Sequence, residues 1–254
     1  MSGRFSIAGR RVLVTGASSG LGWHFAGMLA AEGAQVVVAA RRLERLDALV
    51  EQIQAAGGSA QALAMDVASR ASVQAAFDAL QGQGPLDIVV NNAGVTVTRS
   101  ALAQTEQDWD AVLDTNLKGV WQVATEAARR WVEAKRPGCI INIASILGER
   151  VAGSVAPYAI SKAGIVQMTK ALALEFARHD IRVNALAPGY VETDLNRDFL
   201  ASEAGQRLRA RIPQRAFAQP GDLDGALLLL ASDAGRRMTG AVVPVDGGHL
   251  VSSL

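Results

Sequence analysis

Residues 11–22 read RVLVTGASSGLG, in which a short apolar run leads directly into three glycines. The glycines stand at positions 16, 20 and 22, and apolar residues then recur with helical periodicity. Glycines at such a junction let backbone N–H groups approach a pyrophosphate at the positive end of the helix. A tight strand-to-helix turn without any ligand would use the same residues. The position after the first strand of an alternating pattern favours a dinucleotide site.

The alternation of apolar runs and helical patterns continues along the whole chain. The runs that predict strands lie near residues 12, 36, 63, 88, 141, 183 and 243. The helical patterns cover residues 20–32, 43–55, 69–81, 106–134, 156–178 and 221–231. Continuous apolarity indicates strands that are covered on both faces. We therefore predict an α/β fold: a single-domain, Rossmann-type, doubly wound parallel sheet of about seven strands with helices on both faces.

The chain carries no sign of a domain boundary. No linker, repeat or low-complexity tract interrupts its 254 residues, and one α/β domain of this length is common. We predict one catalytic domain over residues 1–254, with a substrate-loop insertion at about 190–219.

Composition and charge narrow the partners and the compartment. The 25 basic and 24 acidic residues give a formal charge of +1, which offers no electrostatic argument for nucleic acid or an anionic membrane. No stretch approaches the roughly 20 apolar residues of a membrane span, and the first residues lack a secretory signal. The single cysteine, Cys139, cannot form an internal disulfide. We expect a cytoplasmic protein with no nucleic-acid or membrane partner.

The end of the second predicted strand, VVVAARRLERL, bears on the choice of dinucleotide. An acidic residue here would bind a ribose 2′-hydroxyl, whereas arginine accommodates a 2′-phosphate. Ala40 stands where the acid is expected, and Arg41 and Arg42 follow it. The arginines could merely begin a solvated helix, but guanidinium groups pair well with phosphate. NADP is therefore the preferred cofactor, with NAD as the alternative.

The stretch APYAISKAGI at 156–165 sets one phenol and one amine, Tyr158 and Lys162, among small and apolar neighbours. A spacing of four places both on one helix face, although a packed ring under a solvated amine has the same spacing. Free tyrosine has a pKa of about 10, too high for an efficient base near neutral pH, and a nearby cation favours its ionised form. We expect Lys162 to make Tyr158 a usable proton donor and acceptor.

Several motifs occur together and in one order: TGASSGLG, NNAG at 91–94, Asn116, Ser145, YAISK at 158–162 and PG at 188–189. This set resembles the short-chain dehydrogenase/reductase superfamily over about residues 10–249, and is similar to its 3-oxoacyl-thioester reductases and carbonyl reductases. The resemblance implies a Rossmann-type fold, usually a homotetramer, and NAD(P)-dependent alcohol oxidation or carbonyl reduction. It also implies a catalytic tetrad, formed by Asn116, Ser145, Tyr158 and Lys162.

Each member of that tetrad has an expected role and a plainer alternative. Ser145, at a strand end, would hold the substrate oxygen beside Tyr158. Lys162 would also bind the nicotinamide ribose, and by family analogy Asn116 would support a water that connects Lys162 to solvent. The alternatives are a turn cap for Ser145, a local backbone partner for Asn116, and packing for the other two.

The resemblance extends to the cofactor cleft, where Asp66 and Val67 would flank adenine and Thr193 would reach the nicotinamide carboxamide. The predicted cofactor-binding residues are Gly16, Ser18, Ser19, Gly20, Leu21, Gly22, Arg41, Arg42, Asp66, Val67, Asn91, Ala93, Gly94, Tyr158, Lys162, Pro188, Gly189, Val191 and Thr193. Asp66 could instead cap a strand end, and NNAG could be a structural turn. Asn92 is expected to brace the central strands rather than touch ligand.

Substrate selectivity is expected from mostly apolar residues of the crossover loops. The predicted substrate-binding residues are Val95, Ser145, Leu147, Val151, Val155, Tyr158, Tyr190 and Phe199. Ile146, Leu195 and Leu200 are further candidates, although core packing is an equal explanation for any single apolar member. Arg150 and Arg197 could meet an acidic group, but charged surface loops explain them equally well.

These expectations combine into one preferred function and two rivals. The preferred one is an NADP(H)-dependent oxidoreductase that interconverts a hydrophobic ketone or aldehyde and its alcohol, with Tyr158 as general acid/base. The first rival is a 3-oxoacyl-thioester reductase of fatty-acid metabolism, for which Arg129 and Arg130 are candidates to dock an acidic carrier protein. The second is a non-catalytic dinucleotide-binding regulator.

No metal or nucleophile constellation is predicted. The three histidines, His24, His179 and His249, are far apart in sequence and lack a cysteine or acidic ligand pattern. Ser145 lacks the G-x-S-x-G turn of a nucleophilic serine.

Overall fold

A seven-stranded parallel sheet forms the centre of the protein, in the strand order β3-β2-β1-β4-β5-β6-β7. The computed structural model describes residues 3–193 and 196–252. The strands are β1 (Arg11–Thr15), β2 (Gln35–Ala40), β3 (Ser59–Ala64), β4 (Ile88–Asn91), β5 (Gly138–Ile143), β6 (Ile181–Pro188) and β7 (Val242–Val245). The predicted fold class and the positions of all seven strands are confirmed.

Helices connect the strands and cover both faces of the sheet. They are α1 (Gly20–Ala31), α2 (Leu43–Ala55), α3 (Arg70–Ala79), α4 (Glu106–Leu113), α5 (Gly119–Glu133), α6 (Ala156–Phe176), α7 (Arg197–Ala201), α8 (Glu203–Arg209) and α9 (Asp224–Ala231). Successive residues of β1 show how the two faces are filled. Val12 and Val14 pack into the core on one side of the sheet, whereas Leu13 packs into the core on the other.

Strand order reverses at β1, which pairs with β2 on one side and with β4 on the other. Helices that leave β1 and β4 therefore cross to opposite faces, and a crevice opens beyond the carboxyl ends of these two strands. Thr15 ends β1 and Asn91 ends β4. The glycine-rich turn and the NNAG stretch consequently meet at this crevice.

The predicted helix over 106–134 is present, but its winding is not regular throughout. A π-helical turn, Asp114–Lys118, separates α4 from α5. Its cause is tertiary, because the amide of Asn116 in this turn is hydrogen-bonded to Val95 and Ser161 in distant segments. Such wide turns inside helices often mark functional sites.

Two smaller differences concern the last third of the chain. The expected irregular insertion at 190–219 contains the short helices α7 and α8. The predicted helix at 221–231 begins as a 3₁₀ turn, Pro220–Leu223, and becomes α-helical only at Asp224. Proline at the first position of that turn fits an end where its missing N–H has no partner to satisfy.

Within the described ranges, no helix has both the length and the apolarity needed to cross a membrane. Over those same residues, no three His, Cys, Asp or Glu side chains are close enough together to hold a metal ion.

Candidate active site

The turn between β1 and α1 is shaped for close approach by a ligand. Gly16 and Gly20 have φ angles of +66° and +56°, a region that side chains disfavour. A Cβ on Gly16 would lie 2.6 Å from the Cα of Ala93, and one on Gly22 would lie 2.4 Å from the carbonyl oxygen of Gly16. Ser19 precedes α1 without a side-chain hydrogen bond to the helix, so no side chain caps its first N–H groups. This end fits a pyrophosphate.

Asn92 braces the two central strands, as the sequence predicts. Its Nδ2 donates to the carbonyl oxygens of Thr15 and Gly16, at 3.1 and 3.3 Å. The hydroxyl of Thr15 accepts the N–H groups of Asn92 and Ala93, both at 3.1 Å. Asn91 is buried, and its amide donates to Asn142 at 3.0 Å. The side chain of Asn91 is therefore part of the sheet interior rather than of the exposed cleft wall.

At the adenine end, β2 finishes on Ala40 with no carboxylate, and two arginines follow. Nη2 of Arg42 donates to the hydroxyl of Ser18 at 3.3 Å, which brings a guanidinium against the glycine-rich turn. The Arg41 side chain is exposed beside it. Guanidinium groups pair well with phosphate, so these two cations could hold a 2′-phosphate.

The segment after β3 supplies the other side of the adenine end. Asp66 accepts the N–H of Ala68 at 3.0 Å, so the strand-end cap named above as its alternative role is present. Val67 is buried, and its carbonyl oxygen accepts Nε2 of Gln122 at 2.8 Å. Both roles are compatible, because a capped turn also fixes the side chains that face an adenine ring.

Tyr158 and Lys162 lie one turn apart on α6, and the Nζ atom of Lys162 is 5.4 Å from the centroid of the Tyr158 ring. The same Nζ donates to the carbonyl oxygen of Ile143, at the end of β5, at 2.8 Å. Lys162 is buried, while Tyr158 is half-buried and faces the cleft. The pair is therefore on one helix face and at the carboxyl edge of the sheet.

Burial dominates the ionisation of both groups. Burial lowers the pKa of Lys162 to about 8. It raises the pKa of Tyr158, whereas the hydrogen bond with the Ser145 side chain lowers it. The effect of the Lys162 ammonium on the Tyr158 pKa stays a prediction. Desolvation disfavours the charged form of either group, so burial moves the two pKa values in opposite directions.

Ser145 follows β5 and begins a 3₁₀ turn, Ile146–Gly148. Its Oγ accepts the N–H of Leu147 at 3.1 Å, which leaves the hydroxyl proton available to donate. Gly148 lets this turn pack on α6, since a Cβ there would lie 2.8 Å from the carbonyl oxygen of Lys162. Ser145 is therefore both a turn cap and a donor placed beside Tyr158.

Asn116 connects the segment after β4 to α6. Its Oδ1 accepts the N–H of Val95 at 2.8 Å, and its Nδ2 donates to the carbonyl oxygen of Val95 at 2.9 Å and to Ser161 at 3.2 Å. Ser161 in turn donates to the carbonyl oxygen of Tyr158 at 2.7 Å. The side chain thus positions the helix turn that carries Tyr158, which is the plainer role considered above.

The wall opposite α6 follows β6. Pro188 ends that strand, and Gly189 packs so closely on the segment after β7 that a Cβ would lie 2.8 Å from the Cα of Asp246. Val191 forms a single parallel bridge with Ala218. The N–H of Thr193 donates to Asn196 at 2.8 Å, and its hydroxyl makes no hydrogen bond to any described residue.

Known proteins with the same arrangement are numerous. A family described as enoyl-(acyl carrier protein) reductase matches residues 16–249. The 3-oxoacyl-[acyl-carrier-protein] reductase of Thermotoga maritima is 36% identical over 246 residues, which is 96% of this chain and 99% of that protein. The 5-keto-D-gluconate 5-reductase of Escherichia coli K12 is 34% identical and covers 99% of this chain and 100% of its own length. The chain belongs to the short-chain dehydrogenase/reductase superfamily.

Solved members of this superfamily have the same fold throughout. A gluconate 5-dehydrogenase from Burkholderia cenocepacia J2315, solved in complex with NADP and tartrate, superposes with a TM-score of 0.94 at 37% identity. The match covers 98% of each chain. This short-chain dehydrogenase/reductase is therefore an NAD(P)-dependent oxidoreductase that acts on CH–OH groups.

The substrate residues predicted for this short-chain dehydrogenase/reductase divide by exposure. Ile146 and Leu200 are buried and belong to the packing. The others retain some exposure, namely Val95, Leu147, Val155 and Tyr190, with Val151 and Phe199 the most open at 89% and 52%. Leu195 lies outside the described residues.

Sequence reasoning missed one cluster beside the cleft of this short-chain dehydrogenase/reductase. His249 is only 6% exposed, and its ring centroid lies 5.8 Å from that of Tyr190. Arg150 donates to the carbonyl oxygen of His249 and, at 2.7 Å, to the hydroxyl of Ser252. These residues come from three distant segments, so no local pattern could have announced their contact.

Proposed function

We propose that the protein is an NADP(H)-preferring oxidoreductase that interconverts a ketone or aldehyde and the corresponding alcohol, with Tyr158 as general acid and base. The observation that carries this proposal is the grouping of Tyr158, Ser145 and Lys162 at the carboxyl edge of the sheet, next to the glycine-rich turn. A non-catalytic dinucleotide regulator would not need a half-buried phenol with a hydroxyl donor beside it.

NADP would be held by residues whose geometry fits its parts. The N-terminus of α1 and Gly16, Ser18, Ser19, Gly20, Leu21 and Gly22 would hold the pyrophosphate, and Arg41 and Arg42 the 2′-phosphate. Ala93, Gly94, Pro188, Gly189, Val191 and Thr193 would line the nicotinamide half. When bound, this cofactor supplies or accepts the hydride. The Burkholderia relative, which contains NADP, supports the preference.

The protein's own groups manage the proton. In reduction, the Oη–H bond of Tyr158 breaks, and its proton goes to the carbonyl oxygen, which becomes the alcohol hydroxyl. In oxidation, the phenolate oxygen takes the hydroxyl proton back. Ser145 donates a hydrogen bond to the same substrate oxygen, where negative charge develops. Lys162 would bind the nicotinamide ribose, and Asn116 would support a water that leads from Lys162 to solvent.

Two substrate classes are compatible with this chemistry. The apolar side chains Val95, Leu147, Val155 and Phe199 favour a substrate with a hydrophobic body. A 3-oxoacyl thioester is the second candidate, favoured by the likeness to the Thermotoga reductase. The candidate docking residues for a carrier protein are already engaged, because Arg129 pairs with Glu126 and Arg130 pairs with Glu126 and Asp78. We therefore prefer the small carbonyl compound.

We further propose a cytoplasmic homotetramer. Apolar side chains on α5 and α6 stay open in the single chain, among them Trp121, Ile160 and Leu174 at 42%, 47% and 83% exposure. Such a surface suits burial against further copies. Light scattering after size exclusion should give a mass near four chains of 26.6 kDa, and a monomer would contradict it.

A panel of carbonyl compounds tests the proposed reaction. NADPH and NADH absorbance would be followed with aliphatic ketones, aldehydes, oxo-acids and 3-oxoacyl thioesters. We expect turnover of small carbonyl compounds, with kcat/KM higher for NADPH. Turnover confined to thioesters would favour the second candidate, and no turnover with any compound would overturn the proposal.

A further inference from the structure

The cleft has a polar end that the proposed proton transfer does not use. It is formed by Arg150, Tyr190 and His249, which we call the Arg150 cluster. Tyr190 connects this cluster to the reaction centre. Its ring centroid lies 5.8 Å from that of His249, and its hydroxyl, when ionised, would act electrostatically on Tyr158. Phe217 packs near the same tyrosine, 6.5 Å away between centroids. The cluster therefore adjoins the reaction centre through Tyr190.

Several hydrogen-bonding atoms of the Arg150 cluster have no partner among the residues that the structure describes. Nδ1 of His249 is buried and unpaired, although the residue is only 6% exposed. Arg150 uses only Nη1, toward His249 and Ser252, so Nε and Nη2 remain without a partner in the described parts of the chain. Buried polar atoms are almost always paired with protein, water or a ligand, so Nδ1 of His249 has room for a partner from outside the chain.

The charges around these atoms favour an anion. Arg150 and Arg211 both lower the pKa of His249, in addition to the larger effect of burial, whereas Asp246 raises it. Asp246 already accepts the N–H groups of Gly248 and Leu250, at 2.9 and 2.6 Å. Its carboxylate is therefore engaged in fixing the turn. The two free donors of a guanidinium fork match the two oxygens of a carboxylate.

We propose that Arg150, Tyr190 and His249 bind a carboxylate of the substrate, which is therefore an oxo- or hydroxy-carboxylic acid. This inference rests on the proposed function, because it assigns one end of the molecule to the cluster and the reacting carbon to Tyr158 and Ser145. Apolar side chains predicted to bind substrate, Val95 and Leu147 among them, would contact the carbon chain. The substrate would then carry a carboxylate at one end and a hydrophobic body between that end and the reacting carbon.

Binding of tartrate tests the subsite without requiring turnover. The Burkholderia relative was solved with this dicarboxylate and NADP. Titration calorimetry on the NADP⁺-loaded protein would compare tartrate with dimethyl tartrate, its uncharged diester. We expect tartrate to bind at least about tenfold more tightly, and Arg150→Gln and His249→Phe each to remove about tenfold of that affinity. His249→Phe keeps an aromatic ring against Tyr190 and removes both ring nitrogens.

Two control variants separate the subsite from its surroundings. Arg178→Gln removes an exposed cation that follows α6. Arg207→Gln removes an exposed cation from α8, where it pairs with Glu203. Both should keep the tartrate affinity of the parent. If Arg150→Gln fails to fold, His249→Phe alone decides.

The outcomes distinguish the subsite from the reaction. If dimethyl tartrate binds as tightly as tartrate, or if both cluster variants keep the affinity of the parent, the subsite is overturned. Turnover of cyclohexanone with NADPH is the separate test of the proposed reaction, since this ketone carries no carboxylate. Selective tartrate binding without turnover of any carbonyl compound would overturn the reaction and leave the anion site standing.

Discussion

Lys162 holds its amine 5.4 Å from the ring centroid of Tyr158, while that amine donates to the carbonyl oxygen of Ile143. The amine is thus anchored to the sheet, and the phenol is the member of the pair that faces the cleft. Tyr158→Phe keeps the ring and removes only the proton-carrying oxygen. We expect kcat for carbonyl reduction to fall by about 10²–10⁴-fold, with the Kd for NADPH within about twofold of the parent.

Stopped-flow and fluorescence titration would measure these two quantities. Tyr190→Phe removes the only other phenol of the chain and serves as the comparison. For an uncharged ketone, its loss of kcat should be far smaller. Equal losses in the two variants would remove Tyr158 from proton transfer.

Lys162 makes stability depend on pH in an unusual direction. Its folded pKa of about 8 lies below the usual lysine value of 10.5, so between these two pH values the unfolded chain binds more protons. Stability from this group therefore rises as pH increases from 8 to 10.5, and the penalty is fully present below 8. Between pH 8 and pH 10.5, the free energy of unfolding of the parent should rise by up to about 3 kcal/mol relative to that of Lys162→Met. Urea unfolding at a series of pH values measures the difference, and a constant difference would contradict it.

Ser145 lowers the pKa of Tyr158 through its hydrogen bond, whereas burial raises it. Ser145→Ala should therefore raise that pKa further. Because alcohol oxidation needs the phenolate, the rising limb of its pH–rate profile should move to higher pH. Reduction should lose about 10–100-fold in kcat through the missing donor. A profile that falls in height without moving would show that Ser145 only positions the substrate.

Arg41 and Arg42 should decide the choice of cofactor. Replacing either by alanine removes a phosphate partner, so the Kd for NADPH should rise by about tenfold. The Kd for NADH should change little, because NADH has no 2′-phosphate. Arg45→Ala, one turn into α2 and also exposed, is the matched control. Parallel weakening of both cofactors would exclude these arginines from phosphate recognition.

Two glycines of α1 form an internal comparison. A Cβ at Gly22 would lie 2.4 Å from the carbonyl oxygen of Gly16, whereas one at Gly27 meets nothing within 4 Å. Gly22→Ala should therefore lower Tm and abolish NADPH binding. Gly27→Ala should stabilise the protein by up to about 1 kcal/mol, because alanine favours the helix. Thermal unfolding with and without NADPH checks both, and similar behaviour of the two variants would refute the close packing at Gly22.

The sequence was sufficient for the sheet because each strand is a continuous apolar run that needs cover on both faces. The same kind of reasoning placed Tyr158 and Lys162 on one helix face, since their spacing is local. It could not reveal the π-helical turn at 114–118, because the helical periodicity of the sequence continues through that turn. The cause is the hydrogen bonds from Asn116 to residues 21 and 45 positions away. The Arg150 cluster was hidden for the same reason, being assembled from three separate segments.

The π-helical turn at Asp114–Lys118 contains one residue more than a regular helix would need, which determines the effect of a deletion there. Each residue of an α-helix turns the chain by about 100°. Deleting one residue there would restore regular winding without turning α5 out of the core, because the wide turn already takes up the extra residue. The cost of such a deletion would fall on Asn116, whose amide would lose its place against Val95 and Ser161 while the flanking helices stayed packed.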